Sequence, residues 1–336
     1  MSSMNNRRLV LRSRPCGVAT NQDVPLEVQP LPSLEEGQVL LRNRYLSIDP
    51  AIRDWMSERL SYLPPIALGE AVRSTTLGEV VESRHPTFKA GDLALGLNGW
   101  EDYSLADGAA LVPVALSPGD AEQHYLSVFG AVGLTAYFAL LEVGKPQPGE
   151  TVLVSAAAGA VGSLVGQIAR IKGCRVVGLA GSEEKCRWIV DELGFDAAIN
   201  YRTADNLVEA IAQACPEGVD IYFDNVGGEV LDAALMNIKD RARIVFCGAI
   251  ASYNSTAPVP GPYNLWQILV HSARFEGFLI RDYFGRFPEG IAQMREWLES
   301  GQIRFREHIV DGLENSLDAF NSLFDGRNTG KVLVRL

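Results

Sequence analysis

The chain has 336 residues, of which 47% are hydrophobic and 21% charged, and its formal net charge at pH 7 is −11. This composition is typical of an ordinary globular protein, and the length suffices for two domains. The acidic balance and the absence of lysine and arginine blocks argue against nucleic acid and anionic membranes as partners. No apolar run is long enough to span a bilayer, and residues 1–8 are not followed by the apolar core of a secretory signal. We therefore expect a cytoplasmic protein that does not bind membranes.

The cysteines and histidines show no pattern of metal ligands. The four histidines are isolated in sequence, and no pair of cysteines has C-x-x-C spacing. Reduced thiols, mostly buried, are therefore expected instead of a disulfide framework or a zinc lobe. The cysteines are Cys16, Cys174, Cys186, Cys215 and Cys247.

Residues 1 to about 120 are predicted to form strands separated by turns. Val39–Ser47 mixes apolar and polar positions, Leu77–Glu82 is a second strand-like run, and Phe88–Gly96 places a Gly-Asp turn before an apolar strand. Asp54–Pro65 is irregular and rich in large side chains. That segment is equally typical of a loop beside a pocket and of a plain surface loop.

From residue 123 onward the pattern changes to helices alternating with short apolar strands. A helix is predicted over Gln123–Val143, and helices also follow most of the later strands. This alternation indicates an α/β fold with a doubly wound parallel sheet. The six predicted strands are Val152–Val154, Cys174–Leu179, Ala197–Asn200, Val219–Asp224, Arg243–Cys247 and Arg274–Ile280.

The C-terminal segment is predicted to return to the first domain. A helix over Ile291–Leu298 precedes a strand at Arg304–Val310, a helix at Leu313–Phe324 and a last strand at Lys331–Arg335.

The stretch Thr151–Ser163 predicts a nucleotide-binding turn between a strand and a helix. Ala157, Gly159 and Gly162 occupy the three small-residue positions of G-x-G-x-x-G, with alanine in the first. Small residues there permit a tight turn, close approach of a pyrophosphate and close helix–strand packing. The free N–H groups of the following helix favour a phosphate.

The end of the second strand indicates which dinucleotide is bound. NAD sites usually carry an acidic residue here that binds the ribose 2′-hydroxyl, whereas this chain has Gly181 and Ser182. The small residues leave room for a 2′-phosphate, and Lys185 follows one helical turn later as a cation. Glu183 keeps open the alternative of a displaced ribose acid, although glutamate is also common in a first helical turn. These residues favour NADP over NAD.

Five separated motifs together point to a known family of proteins. They are Ala156–Ser163, Gly181–Lys185, Asp224–Gly228, Cys247–Asn254 and Asn328–Lys331. These motifs resemble those of the zinc-independent medium-chain dehydrogenase/reductases, in the group of prostaglandin, 2-alkenal and curcumin reductases. The resemblance extends through Tyr45–Pro50 and Gly99–Tyr103 and so covers essentially the whole chain.

The resemblance implies a Rossmann NADP-binding domain at residues 126–304. It implies a GroES-like β-barrel catalytic domain at residues 1–125 and 305–336, and a homodimer. NADP(H) becomes the expected cofactor, with Gly159, Ala160, Val161 and Gly162 at the pyrophosphate. Lys185 and Tyr201, beside Ser182, are expected at the 2′-phosphate. The residues expected to line the nicotinamide and its ribose are Asn225, Cys247, Ile250, Tyr253, Phe278, Leu279, Ile280 and Asn328.

No metal ligand is expected. Zinc alcohol dehydrogenases of this fold carry a Gly-His-Glu motif and a four-cysteine lobe, whereas this chain has Leu68–Val72 without histidine and no cysteine between Cys16 and Cys174.

The resemblance implies metal-free reduction of the carbon–carbon double bond of α,β-unsaturated aldehydes or ketones by NADPH. Hydride addition at the β-carbon develops an enolate, which a phenol can stabilise by a hydrogen bond. Tyr253 is the predicted catalytic residue, and Tyr45 and Tyr62 are predicted substrate contacts. The chain departs from many relatives at Ala51–Arg53, where they have Tyr-Met-Arg, which leaves the pocket shape and the individual substrate open. An NADPH quinone reductase of the same fold and a non-catalytic NADPH-binding protein are the alternatives.

Overall fold

A computed structural model describes residues 5–336, which fall into two compact units. Unit 1 comprises the described residues up to Leu126 together with Glu307–Leu336, and unit 2 comprises Ser127–Arg306. Residues 1–4, which belong to the predicted N-terminal domain and to the segment interpreted as lacking a signal, lie outside the described residues.

The N-terminal part of unit 1 consists mainly of strands. Short 3₁₀ turns cover Gly108–Ala110 and Glu122–Leu126. Its elements are β1 (Asn5–Leu9), β2 (Leu26–Pro30), β3 (Gln38–Ser47), α1 (Ile52–Trp55), β4 (Arg73–Ser83), β5 (Leu93–Gly99), β6 (Tyr103–Asp107) and β7 (Val112–Val114).

Unit 2 alternates strands and helices. Wider π-helical turns at Ala139–Gly144 and Trp188–Glu192 continue two of its helices, and Ile280–Arg286 is a 3₁₀ segment. Its elements are α2 (Ala131–Phe138), β8 (Thr151–Val154), α3 (Ala160–Ile171), β9 (Arg175–Ala180), α4 (Glu183–Arg187), β10 (Ala197–Asn200), α5 (Leu207–Ala214), β11 (Val219–Asp224), α6 (Gly228–Leu235), β12 (Ile238–Phe246), α7 (Ile250–Tyr253), α8 (Trp266–Val270), β13 (Arg274–Gly277) and α9 (Phe287–Glu299).

The C-terminal segment completes unit 1. A 3₁₀ turn at Leu313–Asn315 precedes its helix. The elements are β14 (Glu307–Asp311), α10 (Ser316–Asp325) and β15 (Lys331–Arg335).

The described strands of unit 2 form one six-stranded sheet in the order β10-β9-β8-β11-β12-β13. Each neighbouring pair is parallel. All four residues of β8 are buried, as expected for a central strand covered on both faces. Numbered within the sheet, this is the order 3-2-1-4-5-6 of the doubly wound dinucleotide-binding fold. The predicted α/β fold with a parallel sheet is confirmed.

Seven of the described strands of unit 1 form one sheet in which most neighbours are antiparallel, and β1 and β2 form a separate antiparallel pair. The order of the seven-stranded sheet is β14-β15-β3-β4-β5-β7, and β6 also pairs with β3. Among residues 5–336 no pairing joins β14 to β7, so the strands do not close into a barrel through those two ends. Trp100, Phe320 and Ile52 are fully buried in an apolar core of this unit.

Several predicted elements, such as β12 and β13, have other end residues in the structure, and two predicted segments differ by more than their ends. The helix predicted over Gln123–Val143 is interrupted, because the backbone of Gly130 is extended and α2 begins only at Ala131. A β-carbon on Gly133 would overlap the carbonyl oxygen of Val128, and the amide of Gly133 donates to the carbonyl of Ser127 at 3.2 Å, so the chain folds back tightly before α2. The irregular stretch Asp54–Pro65 begins within α1, whose last residue is Trp55. Within residues 5–336, no helix has both the length and the apolar character that a membrane span needs.

Candidate cofactor site

The turn after β8 is held against the neighbouring strand. The amide of Ala157 donates to the carbonyl of Leu179 at the end of β9, at 2.9 Å. Ala156 has φ +48°, a left-handed conformation that costs an L-residue free energy and is common at ligand sites. The peptide chain therefore turns sharply at the carboxyl edge of the sheet, where ligands of this fold bind.

The glycines of this turn allow close packing at the start of α3. A β-carbon on Gly162 would overlap the carbonyl oxygen of Ala156 and lie 2.9 Å from the Cα of Ala157. Gly159 is the N-cap of α3 and provides no side-chain hydrogen bond to the first turn. The amides at the N-terminus of this 12-residue helix, near Ala160, Val161 and Gly162, are thus available to an anion.

Asp224 connects the turns that follow the central strands. Its Oδ1 accepts hydrogen bonds from the hydroxyl of Tyr222 at 2.8 Å, from the hydroxyl of Ser155 at 3.2 Å, and from the amides of residues 226 and 227 at 3.0 and 2.9 Å. Its backbone carbonyl accepts from the amides of Cys247 and Gly248. Burial raises the pKa of this carboxyl group above its usual range, and the hydrogen bonds that it accepts offset this effect only in part. This one residue therefore fixes the chain after β8, β11 and β12.

The residues predicted to line the nicotinamide follow these turns. The amide side chain of Asn225 donates to the carbonyl of Ser155 at 2.8 Å, and the amide of Ile250 donates to the carbonyl of Asn225 at 3.3 Å. The hydroxyl oxygen of Tyr253 accepts from the amide of Ala249 at 3.4 Å. Burial raises the pKa of the Cys247 thiol to about 12. The structure thus brings Asn225, Cys247, Ile250 and Tyr253 together around one edge of the sheet.

Phe278 extends this group from the end of β13. Its amide donates to the carbonyl of Phe246 at 3.1 Å, and its side chain is buried. Its ring stacks on Tyr283 at 5.1 Å between centroids, and Tyr283 in turn stacks on Phe138 at 5.0 Å. Leu279 and Ile280 follow directly and are half-buried. The aromatic stack fixes the orientation of the Phe278 ring.

The residues predicted for the 2′-phosphate lie at the ends of β9 and β10. Ser182 is the N-cap of α4, and its hydroxyl accepts from the amide of Lys185 at 3.3 Å. A β-carbon on Gly181 would lie 2.8 Å from the hydroxyl of Tyr201, so the phenol lies in contact with the glycine. The carboxylate of Glu183, the alternative ribose acid, accepts from the side chain of Asn200 at 2.7 Å.

The other predicted site residues belong to unit 1. Tyr45 is buried in β3 and packs with Leu77 and Leu333. Tyr62 is 38% exposed and contacts Trp55 edge-on, with 6.0 Å between the ring centroids. Asn328 is half-buried in the loop before β15.

Three residues that organise this site, Ser155, Asn200 and Asp224, are absent from the sequence-based predictions. Asp224 could have been found, because it begins the quoted Asp224–Gly228 motif at a strand end. Asn200 acts through a residue 17 positions away, and no local pattern marks such a contact. Within the described residues 5–336, no group of three or more histidine, cysteine, aspartate or glutamate side chains could hold a metal ion.

Comparison with known proteins identifies relatives that match nearly the whole chain. Residues 7–114 match the family model of the N-terminal domain of oxidoreductases, and residues 160–297 match the model named zinc-binding dehydrogenase. The chain is 45% identical to the NADPH-dependent curcumin reductase of Escherichia coli, covering 98% of this chain and 97% of the relative. It is 37% identical to the NADP(+)-dependent 2-alkenal reductase of Nicotiana tabacum, covering 98% and 97%. The crystal structure of CurA from Vibrio vulnificus in complex with NADPH superposes with a TM-score of 0.93 at 42% identity, covering 98% of each chain.

The fold and the glycine turn define a dinucleotide-binding protein. The chain belongs to the zinc-independent medium-chain dehydrogenase/reductase family.

Proposed function

We propose that this protein is an NADPH-dependent reductase that transfers hydride to the carbon–carbon double bond of α,β-unsaturated aldehydes or ketones. The observation that carries the proposal is the 45% identity, over nearly the full length of both chains, to an NADPH-dependent curcumin reductase. The site geometry supports the cofactor part of this proposal, because the Gly162 turn has room only for a glycine and the acid Glu183 is bonded to Asn200.

The residues at the carboxyl edge of the unit 2 sheet fit a dinucleotide. The N-terminus of α3, with Gly159, Ala160, Val161 and Gly162, would hold the pyrophosphate. Ser182, Lys185 and Tyr201 would hold the 2′-phosphate. The residues of unit 2 that would line the nicotinamide and its ribose are Asn225, Cys247, Ile250, Tyr253, Phe278, Leu279 and Ile280. Asn328 stays a prediction from the family resemblance. When bound, NADPH supplies the hydride that adds to the β-carbon of the substrate.

Tyr253 is the proposed catalytic residue. Its oxygen accepts a hydrogen bond from Ala249, and a phenol can also donate its own proton in a second hydrogen bond. Donation to the substrate carbonyl oxygen would stabilise the enolate that develops during reduction.

Tyr45 and Tyr62 remain proposed substrate contacts. Tyr62 is the more accessible of the two, and it lies two residues after the fully exposed side chain of Leu60. The exposed side chains of Leu60 and Tyr62 offer apolar surface that suits a substrate with a hydrocarbon tail.

The direct test measures NADPH oxidation by the purified protein with a panel of 2-alkenals, enones and quinones. Turnover of enals or enones with NADPH, and poor use of NADH, is expected. Exclusive turnover of quinones would make the protein a quinone reductase. Tight NADPH binding without any turnover would indicate a non-catalytic cofactor-binding protein.

A variant of Lys185 tests its role in the expected preference for NADPH over NADH. Lys185→Ala should weaken NADPH binding by about tenfold, because a charge-assisted hydrogen bond is lost, while NADH binding is spared. Equal loss for both cofactors would remove its phosphate role.

We further propose that unit 1 is a GroES-like catalytic domain and unit 2 a Rossmann domain, in a cytoplasmic homodimer. In support of the dimer, all four residues of the edge strand β13 are exposed, and Trp266 and Leu269 of the nearby α8 are 67% and 63% exposed. An unpaired strand edge beside apolar side chains can pair with a second copy. Light scattering should give the mass of a dimer, and Leu269→Asp should shift it toward the monomer.

A further inference from the structure

The predicted 2′-phosphate site consists of Ser182, Lys185 and Tyr201, and a further cation, Arg202, lies beside it. Ala180 and Asn200 are register partners at the ends of β9 and β10, and the amide of Tyr201 donates to the carbonyl of Ala180 at 3.1 Å. The two chain segments therefore leave the sheet side by side. A β-carbon on Gly181 would lie 3.3 Å from Nε of Arg202, so this guanidinium lies directly beside the glycine.

The side chain of Asn200 contacts two charged residues at the predicted 2′-phosphate site, Glu183 and Arg202. Its amide nitrogen donates to the Glu183 carboxylate at 2.7 Å, and its oxygen accepts from the backbone amide of Arg202 at 3.2 Å. One side chain thus holds the acid and fixes the backbone that carries the arginine. An acid held in this way is less able to rotate toward a ribose hydroxyl, which is the contact that NAD requires.

A second cation suits the charge of the ligand. A phosphate monoester carries between about −1.5 and −2 charges near neutral pH, and arginine offers it two parallel N–H donors, whereas lysine acts as a point charge. Lys185 follows Ser182 on α4, and Arg202 approaches Gly181 from the end of β10. The guanidinium of Arg202 therefore borders Gly181, and the backbone amide of Lys185 is bonded to the neighbouring Ser182.

We infer that Arg202 is a specificity-determining residue for the 2′-phosphate, and that Asn200 favours this phosphate by restraining Glu183. The inference rests on the proposed NADPH-dependent function and extends it to residues outside the family-based prediction.

Calorimetric titration with adenosine 2′,5′-bisphosphate and with 5′-AMP tests Arg202 without any turnover. Arg202→Ala should weaken binding of the bisphosphate about tenfold or more, because a charged hydrogen bond is lost, and should change 5′-AMP binding less than about twofold. Arg202→Lys should restore part of the loss. The matched control is Arg175→Ala, which removes an exposed arginine at the opposite end of β9 and should change neither ligand's binding.

The role of Asn200 is tested by a pair of variants. Asn200→Ala should weaken binding of the bisphosphate, and the double variant Asn200→Ala/Glu183→Gln should recover it, because the released acid is then neutral. If the double variant stays as weak as the single one, Asn200 does not act through Glu183 and that part of the inference is wrong.

The same titrations separate two kinds of failure. Wild-type protein that binds the bisphosphate no better than 5′-AMP would contradict the proposed NADPH preference itself. A wild-type preference that Arg202→Ala leaves intact would overturn only the inference about Arg202. A smaller salt dependence of bisphosphate binding in Arg202→Ala would support a direct ionic contact.

Discussion

The phenol of Tyr222 donates a 2.8 Å hydrogen bond to Oδ1 of Asp224, and both side chains are fully buried. The other carboxyl oxygen, Oδ2, is buried without a hydrogen-bond partner among residues 5–336. The donors to this carboxyl group therefore converge on one oxygen, which lies where the turns after β8 and β11 meet. The buried pair therefore holds in place the turns that form the proposed cofactor site.

Asp224 should make stability depend on pH in a defined direction. Burial raises its pKa above 3.8 in the folded state, so folded protein holds the proton to higher pH than unfolded protein does. This group's contribution is therefore fully present below pH 3.8 and is lost as pH rises through the folded-state pKa. Asp224→Asn keeps the size and the acceptor oxygen but does not titrate, which makes it the reference.

Urea unfolding of both proteins at several pH values from about 4 to 7 checks this sign. The free energy of unfolding of wild type, minus that of Asp224→Asn, should decrease as pH rises. A difference that grows with pH would mean that the folded state favours the ionised carboxylate.

Tyr222→Phe should lower the free energy of unfolding by about 1 kcal/mol through the loss of one hydrogen bond.

Gly162→Ala should damage both stability and NADPH binding. The added methyl group would overlap backbone atoms of the turn at residues 156 and 157, which cannot move without moving the turn itself. We expect a loss of about 1–3 kcal/mol in the free energy of unfolding. NADPH affinity, followed by cofactor fluorescence, should fall as well.

Two other glycines separate these effects. Gly166 lies on α3 like Gly162, but a methyl group added there would crowd the ring of Phe195 and would not touch the turn. Gly166→Ala should therefore destabilise the protein and spare the NADPH affinity of the folded state. At Gly261, no atom of the described residues outside the adjacent chain lies within 4 Å of the position that an added methyl group would take, so Gly261→Ala should change neither property. Equal affinity losses in Gly162→Ala and Gly166→Ala would show that stability alone is responsible.

The strands of unit 2 could be predicted from sequence, whereas some helices and contacts could not. Ala197–Asn200 and Val219–Asp224 have the predicted bounds, because short β-branched and apolar runs lie between turn residues there. The sequence pattern does not reveal the break before α2, because the apolar residues of Gln123–Val143 are buried on most sides and leave no one-sided stripe to read.

At the site, the sequence predicts backbone turns better than side-chain partnerships. The Gly159 turn follows from local geometry alone. The bond between Asn200 and Glu183 exists only because β9 and β10 are neighbours, and an exposed arginine such as Arg202 has no distinguishing sequence context.

Thiol labelling at about pH 8 should distinguish the cysteines, whose free thiols ordinarily titrate slightly above that value. Cys16 is exposed, whereas burial raises the pKa of Cys174 and Cys215 to about 11 and that of Cys247 to about 12. Burial also raises the pKa of the Cys186 thiol. Since the thiolate is the reactive form, Cys16 should react first and the other four cysteines slowly. Mass spectrometry after brief alkylation identifies the labelled residue. Cys16→Ser should abolish the fast phase and Cys215→Ser should keep it; fast labelling that survives Cys16→Ser would contradict the assignment.

Tyr253→Phe tests the proposed hydrogen bond to the substrate carbonyl. Loss of a donor to a developing oxyanion lowers kcat by about 10²-fold, and a similar fall is expected here with little change in the KM for NADPH. Tyr263→Phe is the matched control, because this tyrosine belongs to the same unit and is 81% exposed. Steady-state rates with one enone at saturating NADPH provide the comparison. If Tyr253→Phe keeps the wild-type kcat while Tyr62→Phe loses it, the donor is Tyr62, and the phenol of Tyr253 does not serve the substrate carbonyl.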